Sequence, residues 1–497
     1  MQVNRRTVLA AGAAGIGLVT TRSVQSQQAP EYAASKAPAG QLPRRGEYII
    51  RNAYLLTMDS QHNEIPSGDL HVRDGVIVAI GPNLNAPQAE VINGAETICM
   101  PGFVDTHWHL WVTNCRQWLR TDDIRYDNFP VTTRIGARTT PLDAYRTARW
   151  ALADGILSGV TTLNNFCHNT RGPEWADAEL SAMRDMGIRG RFSYGGPQQG
   201  RSDQPMDLAG LARTKKEWFS DPAATDNRLS LGICSRNLVS GQSLRSAITY
   251  DIAKRDWGGA RELGLPITLH ASPAGLVFEL EKNNLLGPDV ELFHPMFTVE
   301  EERAILKSRG TAFCCAPTGE AQRPRVDIEK SAGRGITPEG GEIQLNELLH
   351  SGVQCGFGID ETVAGNTDFF AIVRIMYKYD RHRLGYGERN LLTTKRLLQL
   401  ATIEGAKVLG LEKTIGSLTV GKRADLILVS IDDFNTGPMT NPWDTLVLHA
   451  HPRNVSLVMA DGRVLAKGGE LTSVDRRKLL SDIRETNARL AAFVDPA

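Results

Sequence analysis

The 497-residue chain has no CxxC pair, no run of basic residues and no internal repeat. Its seven cysteines are scattered, and an odd count rules out complete intramolecular pairing. A chain of this length does not need disulfide staples. All seven are read as structural, with Cys314 and Cys315 in a buried strand rather than at a redox site. Lys plus Arg equals Asp plus Glu, 56 each, so the formal net charge is zero and nothing points to a nucleic-acid partner. The N-terminal apolar run, Val8 to Val19, falls short of the about 20 residues that span a bilayer. What remains is ordinary globular composition, 41% hydrophobic and 23% charged. The length suits two or three domains, or one large barrel with an accessory domain. Forty-seven glycines suit a fold with many strand-to-helix turns.

The N-terminus reads as a leader. Asn4-Arg5-Arg6-Thr7 precedes the weakly apolar, Ala- and Gly-rich run Val8 to Val19, the pattern of an export signal of the twin-arginine type. Small residues around Val24-Gln25-Ser26 suit a cleavage site. The expected product is periplasmic or secreted, with no membrane contact once the signal is removed. The stretch that follows is rich in Ala, Gln, Ser and Pro and reads as a linker.

Short strands then appear: Tyr48-Ile49-Ile50, Tyr54-Leu55-Leu56, Leu70-His71-Val72 and Val76-Ile77-Val78, broken by turns such as Asp74-Gly75. A similar pattern returns at Ala424 to Val429 and Val455 to Met459, with Asp461-Gly462 as a hairpin turn. Between them, apolar runs alternate with amphipathic stretches, the mark of repeated β-α units. Eight candidate strands end near His109, Asn164, Ser193, Cys234, His270, His294, Ala316 and Asp360, the number a closed parallel barrel needs. The expected fold is α/β: a (β/α)8 TIM-like barrel with a small β-sandwich domain built from both chain ends. The expected boundaries are a signal peptide over 1–26, a linker over 27–45, the first sandwich part over 46–100 and the barrel over 101–412. The second sandwich part covers 413–472 and a charged C-terminal helix 473–497.

Residues i and i+2 of a strand face the same way. In Pro101-Gly102-Phe103-Val104-Asp105-Thr106-His107-Trp108-His109, both histidines therefore point into the barrel mouth, where two imidazoles can grip one divalent ion. A second His-x-His, His449-Ala450-His451, stands in the terminal region without partners and reads as structural. His270, His294 and Asp360 each close an apolar run, on the barrel face where such enzymes place their chemistry. Four imidazoles and a carboxylate at four strand ends make a poor accident.

These residues, with Gly159-Val160-Thr161-Thr162, Gly358-Ile359-Asp360 and Ile415-Gly416-Ser417-Leu418-Thr419-Val420-Gly421-Lys422-Arg423-Ala424-Asp425, resemble the amidohydrolase superfamily. The closest likeness is to its cytosine deaminase and triazine hydrolase branch. The resemblance runs from about Glu47 to Ala466. It implies one divalent ion, zinc or iron, held by His107, His109, His270 and Asp360. Two-metal relatives keep a carbamylated lysine in the fourth strand, and Leu229 to Cys234 has none. It further implies that the ion lowers the pKa of its bound water from about 15.7 to near 7. Asp360 would take and return the proton, and His294 would hold and polarise the oxygen. A small-molecule substrate and a homo-oligomer are implied as well.

The pattern breaks at one place. Deaminases of this branch carry His-x-x-Glu, whose Glu shuttles protons, whereas here the sequence is His270-Ala271-Ser272-Pro273. Proline cannot transfer a proton. Glu320, just after the seventh candidate strand, is a candidate for a catalytic or substrate-binding role, set against a solvated loop residue. Glu361 should point away. His168 either contacts substrate or makes a structural hydrogen bond. Trp108, Trp111 and Trp118 are core, or, if one such as Trp111 faces the mouth, favour a flat substrate. The expected reaction is hydrolysis of a non-peptide C–N bond in an amide, carbamate, urea or amino-heterocycle by metal-bound hydroxide, with amide-type hydrolysis ahead of deamination. The alternatives are a deaminase or dechlorinase of an N-heterocycle using Glu320, and an exported metal-retaining binding protein without turnover.

Overall fold

The computed structural model describes residues 42–59, 63–197, 200–238, 247–294, 296–320, 343–385 and 391–495. The expected signal peptide and most of the linker lie outside the described residues. Two sheets organise the rest. The first is built from both ends of the chain: β1 (Glu47–Leu56), β2 (Glu64–Arg73), β3 (Val76–Gly81), β4 (Glu90–Asn93) and β5 (Thr97–Pro101) from the front. The barrel strands β6 to β13 follow, and β14 (Leu426–Ser430), β15 (Val455–Ala460), β16 (Arg463–Lys467) and β17 (Glu470–Leu471) complete the first sheet.

The two short strands expected at Tyr48–Ile50 and Tyr54–Leu56 are one strand, β1, which shifts register between Ile50 and Ala53. The irregularity coincides with Asn52, which takes the left-handed conformation at φ 60°. Asn is among the few side chains that tolerate it. The terminal strands form a single ladder in the order β17-β16-β15-β14-β5-β1-β2-β3, with β4 beside β1, rather than two separately bonded sheets. Its joint is the antiparallel pairing of β14 with β5. Leu55, Leu70, Val72 and Ile77 from the front share one core with Leu426, Leu428, Leu457 and Met459 from the back.

The barrel strands are β6 (Phe103–Trp108), β7 (Val160–Cys167), β8 (Arg189–Tyr194), β9 (Leu229–Cys234), β10 (Ile267–His270), β11 (Val290–Phe293), β12 (Ala312–Cys315) and β13 (Cys355–Phe357). They pair in chain order, all parallel. All eight expected strands are present. Two ends differ: β7 continues past Asn164 to Cys167, and β13 stops at Phe357, short of Asp360. Asp360 instead joins as an isolated parallel bridge to Trp108, which closes the barrel between its first and last strands. The charged C-terminal stretch is a helix, Arg476–Leu490. All seven cysteines are buried and free. No helix among the described residues is long and apolar enough to cross a membrane.

A buried ionic cluster joins the sheet to the barrel at the start of its strands. Arg189, the first residue of β8, reaches Asp425 at 2.7 Å and Asp461 at 3.1 Å. Arg423 and Arg45 also engage Asp461, and Arg45 and Arg463 share Asp226. Burial alone would raise the Asp461 carboxyl, but Arg189, Arg423 and Arg45 hold it below its ordinary value. Its stabilising contribution is therefore present above the unfolded carboxylate pKa, about 3.9, and is lost as pH falls through the lower folded value. Asp461→Ala, which takes a partner from Arg423, Arg189 and Arg45 while leaving Arg189 on Asp425 and Arg45 on Asp226, should cost about 2 kcal/mol at neutral pH. The thermal midpoint of unfolding reads it; an unchanged midpoint would mean the cluster holds nothing together.

Candidate metal centre

The centre sits where the barrel closes. The amide of Asp360 donates to the carbonyl of His107 at 2.7 Å, and the amide of His109 donates to the carbonyl of Asp360 at 2.8 Å. This double bond across the seam fixes Asp360 in register between the two histidines. One carboxylate oxygen of Asp105, Oδ1, accepts from the amides of His107 and Ile359, at 3.0 and 3.1 Å, and so ties the same two segments from below. Burial nevertheless pushes Asp105 up to about 8, so it stands protonated at neutral pH. Asp105 lies inside the quoted motif, but its role is not legible there because its partner Ile359 is 254 residues away in sequence.

The side chains of His107, His270, His294 and Asp360 bring one ligand atom each within 4.8 Å of one another. His109 belongs with them, since its Nε2 is 3.3 Å from Asp360 Oδ1. His107 Nε2 stands 3.1 Å from that same oxygen and 3.2 Å from His270 Nε2. All five residues expected at the mouth are thus in one cluster. His294 and Asp360 both hold the left-handed backbone conformation, each at φ 67°. Such strain costs of the order of 1–3 kcal/mol per residue and persists where surrounding structure enforces it.

Hydrogen bonds decide where the imidazole protons lie. The Phe166 carbonyl can only accept, so His109 donates to it through Nδ1 at 2.9 Å. Its other nitrogen, Nε2, faces Asp360 Oδ1. Burial pushes His107 down to about 3, against the pull of Asp360, and takes His270 well below its ordinary value. Burial alone would raise Asp360, but His294, His107 and His109 hold it well below the carboxylate range. Ring nitrogens and carboxylate oxygens that converge on one point form a donor set that a cation would satisfy. The set therefore fits a divalent ion with nitrogen and oxygen ligands.

Around this centre, His168 stacks on His109 with ring centroids 4.3 Å apart, and Trp111 Nε1 donates to its Nδ1 at 2.8 Å. Trp111 is therefore beside the mouth rather than in a remote core, whereas Trp108 is fully buried, with its ring against Gly155. Glu320 is neither a solvated loop residue nor open to the mouth. It is buried, and accepts from His294 Nδ1 at 3.1 Å, from Cys315 Sγ at 3.1 Å and from the Ala316 amide at 2.8 Å. Glu361 caps the turn after Asp360, accepting from the amides of Val363 and Ala364.

The model of the amidohydrolase family matches residues 260–465, which include His270, His294 and Asp360. Over that segment the chain is similar to the amidohydrolase family. It is 26% identical over 462 residues to a 5'-deoxyadenosine deaminase of Methanosarcina acetivorans, covering 90% of this chain and 99% of the relative. It is 28% identical to a 5-methylthioadenosine/S-adenosylhomocysteine deaminase of Symbiobacterium thermophilum, covering 89% and 98%. The fold of the chain is similar to that of a zinc-bound adenosine deaminase of Xanthomonas campestris, with TM-score 0.73 at 19% identity, over 90% of this chain and all of the other. It is also similar to a variant of the atrazine chlorohydrolase of Arthrobacter aurescens TC1 complexed with zinc and atraton, with TM-score 0.72 at 19% identity, over 90% and 100%.

Proposed function

We propose that the chain is a metal-dependent amidohydrolase that cleaves an amide-type C–N bond, in an amide, carbamate or urea, ahead of deaminating an amino-heterocycle. The observation that carries the reading is the supply of carboxylates. Pro273 stands where deaminases of the branch keep their shuttle Glu, and Glu320 is engaged with three protein donors. Among the described residues, Asp360 is the carboxylate grouped with His107, His270 and His294 around one point. A ring amidine needs one proton on its ring nitrogen and another on the departing amine. An amide carbonyl is already electrophilic and needs one proton, on the leaving nitrogen.

His107, His109, His270 and Asp360 would hold the ion, and zinc is proposed because two structural neighbours contain it. A divalent ion there supplies Lewis acidity and makes water available as a nucleophile at neutral pH. Asp360 takes the proton of the attacking water and returns it to the nitrogen as the C–N bond breaks. Its backbone, bonded on both sides to the His107–His109 segment, keeps the carboxylate in place for both transfers. His168 and Trp111 stand at the edge of the mouth, where they would meet substrate.

The deaminase names of the relatives favour a second reading, removal of an amino group from an N-heterocycle. One panel separates the two. The zinc-loaded protein is offered N-acyl amines, carbamates and ureas beside aminopurines, aminopyrimidines and chlorotriazines. Turnover confined to the first group is expected; turnover confined to the second overturns the amide reading. Export by the twin-arginine route is proposed as well, supported by Arg5-Arg6 ahead of the apolar run. A homo-oligomeric state is proposed from the family resemblance alone.

A further inference from the structure

The loops that carry Trp111 and His168 also carry a guanidinium with no partner of opposite charge. Arg171 follows His168 by three residues, after the end of β7 at Cys167. Loops that follow the strands of a parallel barrel lie on its mouth face. Arg171 Nε donates to the carbonyl of Gly136 at 2.8 Å and to Asn169 Oδ1 at 3.1 Å. Gly136 ends the helix Asn128–Gly136, which belongs to the connection after β6. It presses so closely on the Trp111 indole that a Cβ there would come within 2.9 Å of Cζ3. From the other side of that ring, Nε1 donates to His168, which stacks on His109. Arg171, Gly136, Trp111 and His168 thus form one connected wall that starts at the metal centre.

Arg171 is half-buried, yet no carboxylate faces it among the described residues. Burial lowers the guanidinium from its ordinary value, with no anion to offset it. The acidic residues of the helix that follows, Pro173–Asp185, turn elsewhere. Asp177 takes Arg213 and the Trp218 indole, Glu174 faces Arg213, and Glu179 accepts from Asn165 and Cys167. With Nε committed, Nη1 and Nη2 remain as a fork without a protein acceptor. The base of the fork is rigid, because Asn169 is itself tied to the Gly136 carbonyl at 3.2 Å and to Thr139 Oγ1 at 3.0 Å. A partly buried cation left without a counter-ion costs stability. A fixed pair of guanidinium N–H groups matches the two oxygens of a carboxylate.

We propose that Arg171 binds a carboxylate of the substrate, which makes the preferred substrates anionic N-acyl or N-carbamoyl compounds. Their carboxylate is set off by a spacer from the C–N bond that breaks, since Trp111 and His168 stand between Arg171 and the metal centre. The inference rests on the proposed amide-type reaction for the bond that is cleaved, but the anion is recognised apart from that bond.

Unreactive probes test the anion site whichever bond is cleaved. Calorimetry on the zinc-loaded protein compares succinate, glutarate, adipate and suberate, each beside its half-amide. Every probe offers one carboxylate to the metal, and only the diacid offers a second. The diacid of fitting length should bind about 10–100-fold more tightly than its half-amide. In Arg171→Gln, whose amide still has a donor for the Gly136 carbonyl, that ratio should fall toward one. Equal binding of diacid and half-amide at every length in the wild type would overturn the inference without any variant. So would a ratio that survives in Arg171→Gln. Kinetics give the second readout: N-acetyl ω-amino acids should exceed their methyl esters in kcat/KM, and Arg171→Gln should erase the preference. An acid-over-ester preference left intact would overturn the assignment. Loss of all amide turnover with the diacid ratio retained would sink the amide reading and leave the anion site standing.

Discussion

His109→Ala is expected to purify with its bound metal largely lost and its hydrolytic activity with it, whereas the wild type carries a single ion per chain. The size of the effect follows from how His109 is held. Its Nδ1–H is spent on the Phe166 carbonyl, its amide on the carbonyl of Asp360, and its ring is stacked on His168. Its Nε2 meets Asp360 Oδ1 at 3.3 Å beside that of His107 at 3.1 Å, and the remaining imidazole cannot supply both nitrogens. The backbone bond across the seam does not involve the side chain, so the variant should fold. Metal content by elemental analysis, read beside the activity panel, checks both halves. Two ions in the wild type would contradict a site whose ligands form one group among the described residues and whose fourth strand, Leu229–Cys234, carries no lysine. Full metal occupancy in His109→Ala would remove this histidine from the ligand set.

Asp360→Asn, reloaded with zinc, should retain the fold and lose turnover by about 10²–10⁴-fold, the usual loss on removing a general acid or base. Asn tolerates the left-handed φ of 67° that this position demands, and its N–H and C=O remain to close the seam. What disappears is a carboxylate that the neighbouring imidazoles keep ionised. A carboxamide cannot carry the proton from water to the leaving nitrogen. Single-turnover hydrolysis by the metal-loaded variant, with binding of an unreactive substrate analogue as a second readout, tests this. Retained binding with lost turnover supports the enzyme. Turnover at the wild-type rate would make Asp360 a ligand without a proton-transfer role. A protein that binds the analogue but shows no turnover even as wild type would be the exported binder instead.

The site was legible in the sequence to the extent that its residues end strands. His107, His109, His270, His294 and Asp360 each follow an apolar run, and a strand end in a parallel barrel is a place as well as a pattern. The alternation of a strand likewise separates inward His107 and His109 from outward Trp108. What escaped was the set of partners that fix these side chains. Asp105 and Ile359 meet only because the barrel closes. Glu320 could be placed near the mouth from its position after β12, but not which way its carboxylate turns. That depends on the short helical turn Pro317–Glu320, which folds Glu320 back onto the Ala316 amide. The proton position on His109 was equally out of reach, because it is set by the Phe166 carbonyl on the neighbouring strand. The terminal sheet was recognised from its strand-rich ends, but its single continuous ladder depends on the β5–β14 pairing, which no local pattern announces.

The closure of the barrel between Trp108 and Asp360 has a consequence for how the chain reaches its native state. The first strand must wait for the last, about 250 residues later, and β5 must wait still longer for β14. Pairings of such long sequence separation carry a large loop-closure cost and form slowly. Since His107 and His109 lie on one side of the seam and Asp360 on the other, the ligand set is assembled only when the ring shuts. A divalent ion held by these residues would therefore be captured late, and would stabilise the closed barrel by binding only where its two ends meet.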